Sequence, residues 1–234
     1  MSHSCEAEPV ARPPRASAYV DRMTYLVEEA RGRRVLDCGV VGETVDATEA
    51  RVEAAVSSLH FRIVEAARVA VGIDYAGEVV ARLRRRYPHL DLRACDVETV
   101  DAALAAEPPF DVVILGDLVE HLSNPGRALD GVHRVLAPGG TLLVTTPNAF
   151  GLPNLVRFAS GRYREGADHV ASYSKFTLSN LLARHGFRVE RVLTAVDRPP
   201  RTRRRRLLHR AAAPVLRLLP EVGGTLIVVA RRAA

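Results

Sequence analysis

Short apolar runs alternate with longer stretches of helical spacing through most of the chain. The runs are Arg33–Asp37 (RRVLD), Val69–Asp74 (VAVGID), Leu90–Ala94 (LDLRA), Asp111–Leu115 (DVVIL) and Thr141–Thr146 (TLLVTT). Between them, Ala47–Ala67, Gly77–Tyr87, Val100–Ala106 and Gly126–Leu136 place apolar residues at helical intervals. This order predicts right-handed βαβ units on a parallel sheet. The runs are apolar at successive positions, as strands covered on both faces must be. An earlier helix is predicted over Tyr19–Ala30, with Gly32 as its stop.

The pattern changes after the fifth run. Phe150–Ser172 is rich in loop residues (Gly151, Pro153, Gly161, Gly166), and Ser174–His185 is helical with Gly186 behind it. Two more strands follow, Phe187–Ala195 and Thr225–Ala230, with no amphipathic crossover helix evident between them. That pair is expected to run antiparallel. Residues 1–18 read as a flexible arm with several prolines. Residues 19–234 then form one domain, with a loop over 150–173 and a basic insertion over 197–221.

Composition narrows the class. The 234 residues suffice for one large core without disulfides or metals. Three cysteines (Cys5, Cys38, Cys95) form no framework and suit a reducing cytoplasm. No apolar run is long enough to span a bilayer, and the N-terminal stretch has no signal-peptide core. The net charge is +6. Lys175 is the only lysine, and seven arginines fall within Arg198–Arg210. The basic surplus is therefore local.

The first run closes as Val35-Leu36-Asp37-Cys38-Gly39-Val40-Val41-Gly42. An acid at a strand tip, a glycine turn and a following helix build a nucleotide-sized crevice in an open α/β sheet. The second run ends in Asp74, placed to accept from a ribose diol, with Tyr75 next to it. The third is followed by Asp96 and Val97, within reach of a base edge. Parallel strands put all three tips on one edge of the sheet.

These residues, with FDVVILGDLVEHLSNP (110–125), LAPGGTLLVTTPN (136–148) and LLARHGFRVE (181–190), resemble the class I S-adenosylmethionine-dependent methyltransferases. The likeness is to the branch that contains the ubiquinone-biosynthesis O-methyltransferases. It implies a Rossmann-like sheet of seven strands, mostly parallel, with an antiparallel last strand and helices on both faces. It implies S-adenosylmethionine as cofactor and methyl transfer to an oxygen or nitrogen of a small-molecule acceptor. By the same resemblance Asp37, Gly39 and Gly42 belong to the methionine-binding loop, Asp74 and Tyr75 to the ribose side, and Asp96 and Val97 to the adenine side. Gly116 and Asp117 fall where the backbone touches the cofactor's amino end. The loop departs from D-x-G-x-G-x-G, because Val41 and Glu43 occupy glycine positions. Valine resists positive φ, so the loop must take a different course.

If the acceptor is a hydroxyl, a base can take its proton. Asp117, Glu120 and His121 would share one face of a helix after the fourth strand. His121 is the foremost candidate base by its ordinary pKa, with Glu120 beside it; alternatively, the two brace the helix. The run also resembles, more loosely, metal-dependent small-RNA 2′-O-methyltransferases. That likeness implies a Mg2+ or Mn2+ site built from Asp117, Glu120, His121 and His169. Tyr163, His169 and Tyr173 are candidate linings of the 150–173 loop. Two other classes compete. A nicotinamide-dependent oxidoreductase is opposed by the absence of G-x-G-x-x-G. A nucleic-acid-binding protein is suggested by residues 198–210, but aromatics are only 5% and Trp is absent. The same arginines, with the apolar residues up to Leu219, would also suit an anionic membrane surface.

Overall fold

A computed structural model describes residues 12–41, 59–162, 164, 166–196, 214 and 216–233. In chain order the strands are β1 (Ala16–Asp21), β2 (Arg34–Cys38), β3 (Val69–Asp74), β4 (Asp91–Ala94), β5 (Phe110–Gly116), β6 (Leu136–Pro147), β7 (Phe187–Val196) and β8 (Thr225–Arg232). The helices are α1 (Arg22–Ala30), α2 (Leu59–Ala66), α3 (Gly77–Arg86), α4 (Val100–Ala103), α5 (Pro125–Val135), α6 (Leu152–Ala159) and α7 (Lys175–Arg184).

All eight strands join one sheet in the order β1-β7-β8-β6-β5-β2-β3-β4. Neighbours are parallel except at β8, which runs antiparallel to both β6 and β7. This is the expected Rossmann-like architecture, with the last strand inserted antiparallel. The continuous apolar runs are explained by two covered faces. Leu36, Val113, Leu115, Leu142 and Val144 pack into one core, while Val35, Val112, Ile114 and Leu143 pack into the other. Alternate residues along each strand thus serve opposite layers.

The departure is β1, a strand beyond the seven expected. Tyr19 and Val20, expected to open a helix, lie in β1, and the expected arm boundary at residue 18 falls inside that strand. Val20 pairs with Ala195 in a parallel ladder with β7. Apolar spacing over so few residues fits either element, and the long-range pairing decides. The helix begins at Arg22, where Asp21 Oδ1 accepts the Thr24 N–H at 2.8 Å. The 150–173 segment also holds a helix, α6, where only loop was expected.

The chain passes outward through β2, β3 and β4, then returns to lay β5 on the other side of β2. The crevice between β2 and β5 is the topological switch point, where such sheets bind ligands at the strands' carboxyl ends.

Candidate functional site

A cleft of about 290 Å3 opens at that switch point. Each predicted strand tip contributes to it: Gly39 after β2, Asp74 and Tyr75 after β3, Asp96 and Val97 after β4, Gly116 and Asp117 at the end of β5, and His121 beyond. Tyr75 stands 68% exposed at the rim. Gly42, Tyr163 and Arg198–Arg210 lie outside the described residues.

Through Val41, the last residue described there, the loop after β2 folds back on β3. Gly39 takes φ +84°, a conformation glycine adopts without strain. Its N–H and that of Val40 both donate to the Ile73 carbonyl, at 2.9 and 3.3 Å. The Val41 N–H donates to Asp74 Oδ2 at 2.9 Å, and Ala76 N–H donates to Asp74 Oδ1 at 2.9 Å. Asp74 is thus a clamp on two loops as well as a wall of the cleft. Burial pushes its carboxyl above the usual range, the two N–H donors pull it down, and the nearby charge of Asp37 adds to the rise.

Asp37 does not line the cleft. It is buried, and its Oδ2 lies 3.1 Å from His60 Nδ1 on α2. The ring of His60 lies over β3 at Gly72, where a Cβ would come within 2.7 Å of it. Among the described residues, buried His60 Nε2 has no hydrogen-bond partner. His60 fell within a predicted helix with no motif around it, so its role carried no sequence signal.

At the other end, Asp117 is the only non-glycine residue with positive φ among the described residues, at 48°. Its backbone N–H donates to Thr145, whose hydroxyl donates back to Asp117 Oδ1 at 2.9 Å. Its other oxygen pairs with the Arg22 guanidinium at the start of α1. Arg22 was also missed by the sequence reading, for it sits at the N-terminal end of an ordinary amphipathic helix. Asp96 faces the cleft while its Oδ1 accepts the Glu98 N–H at 2.9 Å, capping a short 3-10 turn.

The expected helical face of Asp117, Glu120 and His121 is corrected by the structure. Val119–His121 is a 3-10 turn of three residues, and α5 begins only at Pro125 behind the Asn124 cap. Over so short a turn the side chains diverge. His121 faces the cleft, with Nδ1 3.1 Å from Asp168 Oδ2. Glu120 turns inward, 1% exposed, with its carboxylate beside Thr146 and without a close hydrogen bond among the described residues. Burial raises its carboxyl to about 7, helped by the charge of Asp117 and opposed by Thr146 and His169. The His169 ring meets His121 edge-on, with centroids 4.7 Å apart. Glu120, His121 and His169 bring one potential ligand atom each within 4.8 Å of one another, and Asp117 is not part of that group.

The profile of a methyltransferase domain family matches residues 12–192. A probable S-adenosylmethionine-dependent methyltransferase of Mycolicibacterium smegmatis is 33% identical over 132 residues, 56% of this chain and 48% of that protein. A ubiquinone biosynthesis O-methyltransferase of Azotobacter vinelandii is 32% identical over 133 residues, 54% of this chain and 50% of that protein. The chain thus spans about half the length of these curated relatives. The N-methyltransferase NodS of Bradyrhizobium japonicum, solved with S-adenosyl-L-homocysteine, superposes with a TM-score of 0.55 at 15% identity, over 91% of this chain and 86% of that one.

Proposed function

The chain belongs to the methyltransferase domain family, and on that premise we propose that it transfers a methyl group from S-adenosylmethionine to an oxygen or nitrogen of a small-molecule acceptor. The observation that carries the proposal is the cleft at the switch point, walled by Asp74, Asp96 and Asp117 from three successive strand ends. Its size and chemistry fit the cofactor. Asp74 retains acceptor capacity for a ribose diol, and Val97 with Tyr75 supplies apolar surface for the base. Asp117 and Arg22 offer opposite charges to an ammonium and a carboxylate at the amino-acid end. When bound, S-adenosylmethionine supplies a methyl group already activated on a positively charged sulfur.

The remaining work is positioning and proton transfer by the protein's own groups. His121 lies at the cleft edge, and Asp168 orients its ring through Nδ1. That leaves Nε2 as the atom to receive an acceptor proton. The name of the Azotobacter relative supports a small-molecule hydroxyl as acceptor. The test is calorimetry with S-adenosyl-L-homocysteine and with NADH. Binding of the former alone is expected; binding of NADH alone would overturn the reading.

A second version rests on the grouping of Glu120, His121 and His169. One carboxylate and two imidazoles suit a divalent cation such as Mn2+ or Mg2+, and the unpaired buried oxygens of Glu120 fit that role. A cation there would supply Lewis acidity toward an acceptor hydroxyl. Loss of turnover in EDTA, restored by Mn2+ or Mg2+, would select this version; indifference to the chelator would select His121 as simple base.

A further inference from the structure

Asp37 and His60 form a buried pair that the proposed reaction leaves without a role. Asp37 is 4% exposed and His60 1%. Asp37 Oδ2 lies 3.1 Å from His60 Nδ1, and no arginine or lysine pairs with this carboxylate among the described residues. The ring fits because position 72 is glycine: a Cβ there would stand 2.7 Å from His60 Cε1. Leu59, on the same turn of α2, lies 4.0 Å from where a Cβ at Gly116 would be. The start of α2 thus touches β2, β3 and β5 just below the cleft.

Hydrogen bonding fixes the form of the pair. Buried His60 Nε2 has no partner among the described residues. A doubly protonated ring would leave an N–H there without an acceptor. So would a carboxylic acid at Asp37 donating to Nδ1, because the single ring hydrogen must then sit on Nε2. Only a neutral ring whose Nδ1–H donates to an ionised Asp37 leaves no orphaned donor. Little water screens a charge held in this way. It reaches the cleft wall, where it helps to raise the Asp74 carboxyl.

Topology places that charge. Asp37 is level with Gly72 of β3 and Ile114 of β5, one residue below Ile73 in the cleft wall. β2 lies between the strand that ends in Asp74 and the strand that leads to Asp117. With ribose at Asp74 and the amino-acid end at Asp117, the sulfur that joins them falls over the tip of β2. That sulfur is positively charged in S-adenosylmethionine and neutral in S-adenosyl-L-homocysteine. We propose, on the strength of the methyltransferase reading, that His60 is a positioning residue: it holds Asp37 as a buried anion beneath the sulfur, so that the site grips the charged cofactor more tightly than the neutral product.

Calorimetry with S-adenosylmethionine, S-adenosyl-L-homocysteine and adenosine tests this. The wild type is expected to favour the first over the second. Asp37→Asn removes the charge and should weaken S-adenosylmethionine about tenfold, with S-adenosyl-L-homocysteine changing less than threefold, a difference of more than about threefold in the ratio. His60→Leu should lower the ratio in the same way, because a buried carboxyl without a donor takes up a proton. His60→Asn sets an amide N–H at the place of Nδ1–H and should keep the wild-type ratio. Adenosine affinity should be equal in all four proteins, which shows that the site is assembled. Nitrogen-15 histidine spectra give a second readout: the signal lost in His60→Asn should be that of a neutral ring protonated at Nδ1. The proposal is overturned by a ratio unchanged in Asp37→Asn, by a ratio in His60→Asn as low as in His60→Leu, or by a His60 ring protonated at Nε2. It is also overturned if adenosine weakens as much as S-adenosylmethionine, which would make the pair a support of the fold alone. A wild type that binds adenosine but neither sulfur compound would overturn the cofactor reading itself.

Discussion

The carboxylate of Asp74 accepts the backbone N–H of Val41 at 2.9 Å, tying the tip of β3 to the loop that follows β2. The same carboxylate walls the cleft. Cofactor contact and loop geometry therefore depend on one side chain. Replacing Asp74 by Ala is expected to weaken S-adenosyl-L-homocysteine binding at least tenfold. Two backbone N–H groups lose a charged acceptor, at roughly 1.5–3 kcal/mol per hydrogen bond. Asn in its place can accept one of the two and should fall between. Unchanged affinity of the Ala variant by calorimetry would remove Asp74 from the site.

Beneath that loop, Asp37 and His60 form a buried pair. Leu at position 60 leaves the carboxylate unpartnered, and an expected loss of about 1–3 kcal/mol in unfolding free energy follows. Gly72→Ala should cost a similar amount, because its methyl would land within 2.7 Å of the His60 ring. A double-mutant cycle with His60→Leu and Asp37→Asn separates pairing from packing. A coupling energy near zero would mean that the two merely occupy the same space.

Arg22 is expected to discriminate among ligands. Its guanidinium pairs with Asp117 at the end of the cleft opposite Asp96 and Val97. Arg22→Ala should therefore weaken S-adenosyl-L-homocysteine, which carries an amino-acid tail, by about tenfold or more, and leave adenosine nearly unaffected. That loss corresponds to about 1.4 kcal/mol. Equal weakening of both ligands would place the role of Arg22 in folding instead.

The sheet was legible because its strands are buried on both faces, which writes unbroken apolar runs into the sequence. The strand-tip acids were legible in part for a related reason: parallel order sends every carboxyl end to one edge, so Asp74 and Asp96 line the cleft there, whereas Asp37, the acid of the first run, is buried against His60. What was not legible depends on contacts made across the chain. β1 pairs with β7, far away in sequence. His60 reaches Asp37 from another element, and Arg22 reaches Asp117 across 95 positions. The divergence of Glu120 and His121 follows from a 3-10 turn, which three residues do not announce. The arginine-rich 198–210 segment lies outside the described residues, so the readings placed on it stand as expectations.

His121 is expected to act on turnover rather than on cofactor affinity. It borders the cleft through a ring oriented by Asp168. His121→Ala should lower kcat on the acceptor by roughly 10²–10⁴-fold, the range of general acid–base catalysis. S-adenosyl-L-homocysteine affinity should change by less than threefold, about 0.6 kcal/mol. Asp168→Asn should give a smaller loss of kcat, because only ring orientation is affected. Turnover unchanged in His121→Ala would reduce the histidine to a support.

Glu120 carries the last prediction, which concerns pH. Its carboxyl is raised from 4.5 to about 7, chiefly by burial. Between those two values the folded protein holds a proton that the unfolded chain has released. Stability from this group is therefore full below the unfolded value and is lost as pH rises through about 7. The loss amounts to at most about 3 kcal/mol. Urea unfolding in the presence of a chelator should show wild-type stability falling across this window relative to Glu120→Gln, whose amide does not titrate. Parallel curves for the two proteins would contradict the burial argument. Adding Mn2+ then tests the alternative version of the site. A cation held by Glu120, His121 and His169 stabilises the ionised carboxylate, so it should restore wild-type stability above pH 7 and leave Glu120→Gln little changed. If both proteins ignore Mn2+, the grouping of Glu120, His121 and His169 does not hold a cation, and the version of the site with His121 as simple base stands.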